Sequence, residues 1–139
     1  MVCIACSMDQ LPAGYKADIL ECDNDHTIDV DKDDMYEFLV VDVRIHANTP
    51  GEFSLMGYLC DSNNNKIIWS IDHKNLLKGD NTMQLIFGGK SIRDHLVDGP
   101  YFINDLTLMS GSSDTRLDIC DYHQRTFTTS AYNYSNFET

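Results

Sequence analysis

The segment DVDKDDMYEFLVVDVRI, residues 29–45, decides the fold of this 139-residue chain. In its second half, apolar side chains occupy every second position: Leu39, Val41, Val43 and Ile45. Alternation of this kind, with β-branched residues, is typical of a strand that buries one face. The sequence therefore predicts a central strand from Tyr36 to Ala47, with these four side chains in the core.

The first half of the segment carries carboxylates on alternate residues. Hard cations such as calcium bind oxygen ligands that are arranged around a tight turn. In the numbering of calcium-binding loops, positions one, three and five are aspartates, position seven offers its backbone carbonyl, and position nine is a glutamate. The segment predicts a calcium site on these residues: Asp29, Asp31, Asp33, Met35 and Glu37.

Position twelve of such a loop normally supplies a bidentate glutamate, but this chain has Val40 there. A ligand from elsewhere, such as Asp98 or Glu21, would then complete the shell. The alternative is a solvated acidic turn that precedes an edge strand, where charge discourages pairing with other chains. The sequence leaves both interpretations open.

The rest of the chain alternates in the same way over short segments separated by turns. About seven or eight strands with almost no helix predict an all-β fold, an antiparallel β-sandwich of immunoglobulin-like or jelly-roll-like type. Residues 1–16 are predicted to be a linker or a loosely attached segment, and residues 17–139 the sandwich domain. Further predicted strands are 15–22, 53–60, 67–71, 82–87, 101–109, 117–120 and 126–129.

Three local features accompany these strands. Residues 23–27 are polar and predict a turn. Residues 91–96 predict one helical turn with Ser91 as its N-cap. The alternation of residues 101–109 slips near Asn104 and Asp105, as a β-bulge would cause.

The charge of the chain restricts its partners. Its 22 acidic and 10 basic residues give a net charge of −12. Nucleic acid is not expected as a partner, because phosphate binding needs clustered Lys and Arg. No segment approaches the roughly 18 apolar residues of a membrane span, so no membrane insertion is expected. The first six residues lack the basic start of a signal peptide, so an exported protein would have to be longer than this chain.

Five cysteines leave at least one thiol without a partner inside the chain. Cys3 and Cys6 form a C-x-x-C pair, which allows a third hypothesis of a cytosolic metal or redox protein. No second pair of ligands follows to complete a zinc site. Two terminal cysteines without a shared role are the simpler interpretation.

Aromatic residues suggest a different binding surface. Tyr58 and Trp69 lie on strands joined by the predicted hairpin turn at Asn63–Asn65, so both rings can share one face. Exposed aromatic rings on β-sandwiches can stack on sugars, which gives a carbohydrate-binding module as the alternative function. The competing interpretation is that both rings pack in the core, since aromatic residues favour strands.

No catalytic motif is present in the sequence. The five histidines are scattered, and none lies in a motif with a nucleophilic Ser or Cys. Carboxylates are so abundant that a pair suited to glycoside hydrolysis carries no information. We therefore expect a protein that is not an enzyme.

The order of several motifs resembles β-sandwich modules of archaeal and bacterial cell-surface proteins. The motifs are D-x-D-x-D, Y-x-x-L-x-V-x-V, G-x-[FY]-x-L, F-x-G-x-x-I, D-G-P-Y-x-[IL]-x-x-L-x-L and T-T-x-A-Y-x-Y-x-x-F. In such modules the acidic loop is D-x-D-G-D-G, and here Lys32 and Asp34 stand at the glycine positions. The matching segments are Asp29–Leu39, Gly51–Leu59, Phe87–Ile92, Asp98–Leu108 and Thr128–Phe137.

The resemblance implies a fold and a location and no enzyme activity. It predicts a non-catalytic structural or adhesive module of an extracellular or cell-surface protein. Calcium at the acidic loop, which the spacing of the acids predicts, would stabilise this module. Its partners would be neighbouring domains of a longer chain, and a carbohydrate or another envelope protein.

Overall fold

A computed structural model describes residues 16–111 and 117–138. In this part of the chain, seven strands form two antiparallel sheets, which confirms the predicted β-sandwich. One short helix, α1 (Gly89–His95), and one 3₁₀ turn (Tyr134–Asn136) accompany them. The strands are β1 (Ala17–Ile28), β2 (Phe38–Ala47), β3 (Gly51–Cys60), β4 (Lys66–Leu76), β5 (Gly79–Gly88), β6 (Phe102–Ser110) and β7 (Asp118–Thr128).

The strand order identifies the type of sandwich. One sheet has the order β1-β2-β5, and the other has the order β4-β3-β6-β7. Immunoglobulin-like sandwiches place their first, second and fifth strands in one sheet and the third, sixth and seventh in the other. A jelly roll needs eight strands in two Greek keys. The order therefore selects the immunoglobulin-like type, with β4 paired to β3.

The predicted faces of β2 are present. Its four alternating side chains have no exposed surface, whereas Phe38 on the other face is 38% exposed. They pack against residues of the opposite sheet such as Leu55, Leu106 and Leu108, which are also fully buried. Burial of each such side chain contributes about 1.5–3 kcal/mol. The central strand of the three-stranded sheet thus anchors the core, as its sequence predicts.

Tyr101 forms a tyrosine corner at the entrance to β6. The ring has no exposed surface, and its hydroxyl donates a hydrogen bond of 2.7 Å to the carbonyl oxygen of Val97. Burial raises the pKa of Tyr101 to about 12. A tyrosine that bonds back to the chain a few residues upstream of the sixth strand is a hallmark of immunoglobulin-like domains. It supports the topology independently of the strand order.

Replacement of Tyr101 by phenylalanine is expected to lower the free energy of unfolding by about 1–2 kcal/mol, because the Val97 carbonyl loses a partly buried hydrogen bond. Urea denaturation measures this loss. Tyr58→Phe is the matched control, since the Tyr58 hydroxyl makes no hydrogen bond to the described residues. Equal stability of the two variants would show that the Tyr101 hydroxyl does not brace the corner.

Side chains of the four-stranded sheet accept hydrogen bonds from the backbone N–H groups of the edge strands of the other sheet. The backbone N–H of Gln84 donates to Asp72 Oδ2 at 3.0 Å, and that of Ile86 donates to Ser70 Oγ at 3.0 Å. On the other side of the sandwich, Ile19 N–H donates to Asp121 Oδ2 at 2.9 Å. Satisfied edge groups are not available to pair with other chains. The polar residues of β4 and β7 therefore cap the edge strands of the facing sheet.

Three local predictions from the sequence are wrong. Residues 23–27 belong to β1, because β2 pairs with them through a bulge between Cys22 and Asn24. The segments 117–120 and 126–129 are not separate strands, because β7 runs continuously along β6 from Asp118 to Thr128. The helix begins at Gly89 with Gly88 as its N-cap, so Ser91 lies inside it.

The predicted bulge in β6 is present. In the pairing of β3 with β6, Tyr58 is opposite Asn104 and Met56 is opposite Thr107. Two residues of β6 therefore lie between these pairs where β3 has only one. Asp105 is one of these two residues and has a φ of 54°, in the left-handed region. The bulge therefore disturbs the outer face of the four-stranded sheet at one place.

Candidate functional site

The loop between β1 and β2 brings four of the predicted ligands together. Oxygen atoms from four carboxylates lie within 4.8 Å of one another: Asp29, Asp31, Asp33 and Glu37. The fifth predicted ligand, Met35, follows directly, and its N–H donates to Asp33 Oδ1 at 2.9 Å. The role of its carbonyl oxygen stays a prediction. The alternate spacing of the acids is what allows all four to face one point.

The backbone of the loop explains this convergence. Asp29 accepts hydrogen bonds from the N–H groups of Asp33 (3.3 Å) and Asp34 (2.9 Å), which closes a turn around its carboxylate. Lys32 and Asp34 have φ values of 58° and 68°. Left-handed backbone at a non-glycine residue costs roughly 1–2 kcal/mol. The loop therefore has the conformation that glycines would favour, at the two positions where the resembling modules have them.

A fifth carboxylate comes from the C-terminal segment. Tyr36 N–H donates to Asn136 O at 2.8 Å, and Glu138 N–H donates to Tyr36 O at 2.9 Å. This short parallel pairing places the Glu138 side chain against Asp33 and Glu37. Sequence spacing could not show it, because Glu138 is remote in the chain and reaches the loop only after the sandwich has closed.

The two ligands that the sequence suggested for completing the shell are elsewhere. Asp98 accepts a hydrogen bond of 3.0 Å from Tyr134 N–H. Glu21 forms an ion pair with Arg44, with 2.7 Å between Oε1 and Nη1. Both carboxylates are held by other partners, and the carboxylate that lies beside the loop is Glu138.

The crowding of the acids shifts their pKa values. A hydrogen bond with Glu37 raises the pKa of Asp31 to about 6, and a hydrogen bond with Asp33 raises the pKa of Glu138 to about 7. The N–H of Met35 holds the pKa of Asp33 below its ordinary value. Hydrogen bonding to a neighbouring carboxylate is the larger cause of the two raised pKa values, and the like charges of the neighbours raise them further. A divalent cation would relieve the same repulsion.

The Glu37 side chain connects the end of the acidic loop to its beginning. Its Oε2 accepts a hydrogen bond of 2.5 Å from Val30 N–H. Its Oε1 is buried and accepts no hydrogen bond from the part of the chain that the structure describes. Desolvation opposes ionisation, yet the Val30 N–H holds the pKa of Glu37 below its ordinary value. An ionised oxygen without a donor is a suitable cation ligand.

Tyr58 and Trp69 share the outer face of the four-stranded sheet. They are directly opposite each other in the pairing of β3 with β4. Trp69 is 53% exposed, so its ring does not belong to the core. The Tyr58 ring is covered by Lys66, whose Nζ lies 4.1 Å from the ring centroid. The shared face agrees with the predicted ligand-binding pair, and binding itself stays a prediction.

The cysteines that the structure describes are free thiols. Cys60 and Cys120 are buried, and Cys22 is half-buried. Burial raises the pKa of Cys22 to about 12 and also raises the pKa values of the other two. A thiol that stays protonated is a poor nucleophile and a poor metal ligand. Cys3 and Cys6 lie outside the described residues, so the metal or redox hypothesis stays a prediction.

One serine–histidine contact escaped the sequence analysis. Ser54 Oγ lies 2.7 Å from His73 Nδ1, because the two residues are opposite each other in β3 and β4. Ser54 is fully buried, and its hydroxyl donates to Gly111 O at 3.1 Å. A hydroxyl in this position is not presented to a substrate. The pair holds the edge strand to its neighbour and to the chain after β6.

No protein-family model matches the chain, and no curated protein matches it. Among the described helices, none combines the length and the apolar character that a membrane span requires.

Proposed function

We propose that this chain is a non-catalytic structural or adhesive module of a cell-surface or secreted protein, and that its acidic loop holds calcium. One observation carries the cation proposal: four carboxylate oxygens, one each from Asp29, Asp31, Asp33 and Glu37, lie within 4.8 Å of one another. The extracellular setting follows from the sequence resemblance. A signal peptide upstream in the full-length gene would support it.

Calcium suits this loop better than magnesium. Calcium takes six to eight oxygen ligands in flexible geometry, whereas magnesium requires a near-ideal octahedron and keeps several waters. The loop offers four carboxylates within 4.8 Å of one another, and Glu138 lies beside Asp33 and Glu37. A bound ion would connect the β1–β2 loop to the C-terminal segment, and so would fix the direction in which the chain leaves the sandwich.

Calcium is expected to raise the thermal stability of the protein. Weak extracellular sites have dissociation constants of about 10⁻⁴–10⁻³ M. At ten times the dissociation constant, binding stabilises the folded state by about 1.4 kcal/mol. For a chain of this length, that corresponds to a rise in Tm of roughly 3–6 °C. Calorimetry measures the rise, and amide NMR shifts at residues 29–37 and 138 locate the ion.

Asp31→Asn tests the site without a large change in the loop, and it is expected to abolish most of the rise. Asp94→Asn is the matched control, because Asp94 is an exposed aspartate on α1 whose only ion-pair partner among the described residues is Lys90. It should keep the full response. An equal response of both variants would indicate general screening of negative charge. Unchanged amide shifts at millimolar calcium would remove the site.

Carbohydrate binding is the second candidate function. The observation that favours it is the cross-strand pairing of Tyr58 with Trp69 on an exposed sheet face. Trp69 is the only tryptophan of the chain, so its fluorescence reports directly on any ligand that reaches this face.

A further inference from the structure

A cleft of about 590 Å³ opens on the outer face of the four-stranded sheet. It lies between the β3–β4 turn, which contributes Asn64, and strands β6 and β7. The bulge at Asp105 forms part of its wall, since a bulge re-aims the side chains of its strand. The cleft is distinct from the acidic loop and from the Ser54–His73 contact.

Cationic side chains dominate the charge of this cleft. Lys66 and Arg125 both line it, together with one carboxylate, Asp105. Lys66 Nζ lies 3.9 Å from Asp105 Oδ2, whereas Arg125 makes no ion pair with the described residues. Arg44 pairs with two carboxylates and Arg93 donates to two backbone carbonyl groups, whereas Arg125 has no partner of either kind among the described residues. Its planar set of N–H donors matches a carboxylate.

The Arg125 guanidinium is held in place by a ring. Its central carbon lies 3.8 Å from the ring centroid of Phe102. Stacking on an aromatic face leaves the N–H groups at the edge of the guanidinium free to donate. Arg125 does not pair with the Asp105 carboxylate. That carboxylate accepts a hydrogen bond from the Tyr122 hydroxyl and forms an ion pair with Lys66. The cleft is thus preorganised to receive one negative charge.

Two asparagine side chains supply neutral hydrogen-bonding groups next to the Arg125 guanidinium. Asn104 Nδ2 donates to Asn64 Oδ1 at a long distance of 3.3 Å. Asn104 Oδ1 accepts no hydrogen bond from the described residues, although it is buried. A rotation of this amide would present an unsatisfied acceptor to the cleft. Hydroxyl groups, which both donate and accept, are suitable partners for such amides.

The pairing of the strands places the cleft beside the aromatic pair. Trp69 is opposite Tyr58, Tyr58 is opposite Asn104, and Asn104 is opposite Arg125. The row crosses all four strands on one face, a width of about 14 Å at the usual strand spacing. It begins with an exposed indole ring and ends with a cationic cleft. A ligand along it would meet a flat apolar surface, then amides, then the guanidinium.

We propose that this row binds a saccharide in which one uronic acid is linked to neutral sugars. Arg125 would hold the carboxylate, the two asparagines would bond hydroxyl groups, and Trp69 would stack on a neutral sugar. Only one carboxylate is expected per site, because the net charge of −12 repels densely charged polyanions such as nucleic acid. This assignment deepens the carbohydrate-binding alternative and does not depend on calcium in the acidic loop.

The experiment compares three probes by ¹H–¹⁵N NMR titration: glucuronic acid linked β-1,4 to glucose, the neutral disaccharide cellobiose, and acetate. The acidic disaccharide is expected to shift signals of Asn64, Asn104 and Arg125 and to bind at least about tenfold more tightly than the other two. Arg125→Gln is expected to reduce its affinity at least about tenfold. The matched control is Arg44→Gln, which removes a guanidinium from the other sheet that already pairs with Glu21 and Asp80.

The outcomes separate the ligand class from the broader function. If cellobiose binds as tightly as the acidic disaccharide and Arg125→Gln has no effect, the uronic acid assignment is wrong while carbohydrate binding stands. If acetate binds as tightly as the disaccharide, the site recognises a carboxylate alone and the saccharide assignment is wrong. If no probe shifts the signals of the row, both the assignment and the carbohydrate-binding alternative fail. Circular dichroism of each variant verifies the fold.

Discussion

Replacement of Gly89 by alanine is expected to lower the free energy of unfolding by about 2–3 kcal/mol. A Cβ at this position would overlap the carbonyl oxygen of Tyr36 and would lie 3.0 Å from that of Glu37. Both contacts are with backbone atoms, which cannot move aside as the end of a flexible side chain could. Gly89 N–H also donates to Glu37 O at 2.7 Å, so the two segments cannot separate without losing this bond.

The neighbouring glycine provides the control for this prediction. A Cβ at Gly88 would meet no atom within 4 Å, and its φ of −67° suits any residue. Gly88→Ala should therefore leave stability unchanged or slightly raised, since alanine restricts the unfolded chain more than glycine. Urea denaturation of both variants measures the difference. Equal stabilities would show that α1 does not press on the acidic loop as the structure indicates.

The Gly89 variant also tests whether the acidic loop and the C-terminal segment act together. Tyr36 pairs with both Asn136 and Glu138, and its carbonyl is the atom that the new methyl group would displace. A displaced Tyr36 would move Glu138 away from Asp33 and Glu37. We therefore expect Gly89→Ala to weaken the calcium response as well as the fold, whereas Gly88→Ala should keep it.

Features that depend on neighbouring residues could be predicted from the sequence. The buried face of β2 follows from strict alternation, and the four clustered carboxylates follow from alternation of a different kind. The bulge in β6 was visible as a slip at Asn104 and Asp105. In each case the side chains concerned lie within a few residues of one another. The local backbone geometry then sets the orientation of these side chains, independently of how distant strands pair.

Features that depend on the pairing of distant strands could not be predicted. Glu138 joins the acidic loop, and Ser54 meets His73, only because closed sheets bring them together. The same holds for Arg125, whose position opposite Asn104 is set by the register of β7 on β6. The polar segment 23–27 was wrongly predicted to be a turn for a related reason. Its backbone pairs with β2, and edge strands tolerate polar side chains on their exposed face.

Asp61 is the buried carboxylate on which the β3–β4 turn depends, and its removal should have the other large effect. It is 2% exposed and accepts hydrogen bonds from the N–H groups of Asn63 (2.9 Å) and Asn65 (3.0 Å). Its Oδ2 also lies 2.8 Å from His95 Nε2, at the end of α1. One side chain therefore closes the turn and fixes the helix against it.

Asp61→Ala is expected to cost about 3 kcal/mol, because it leaves two backbone N–H groups and the histidine without their acceptor. Asp94→Ala is the matched control. Asp94 is an exposed aspartate on α1, the helix that Asp61 contacts through His95, so its removal should change stability by less than about 0.5 kcal/mol. Urea denaturation near neutral pH measures both. A loss below about 1 kcal/mol for Asp61→Ala would mean that water replaces the missing carboxylate.

The pH dependence of this loss gives a second test with a definite sign. Desolvation opposes ionisation of Asp61, but the bonds from His95 and the turn N–H groups hold its pKa below the ordinary value of 3.8. A carboxyl whose pKa is lower in the folded state stabilises the protein above its unfolded pKa and loses this effect as the pH falls through its folded pKa. The difference between the native protein and Asp61→Ala should therefore shrink as the pH falls below about 4. A difference that does not shrink as the pH falls below about 4 would contradict an Asp61 that is ionised in the folded protein, because only an ionised carboxylate loses its stabilising contacts on protonation.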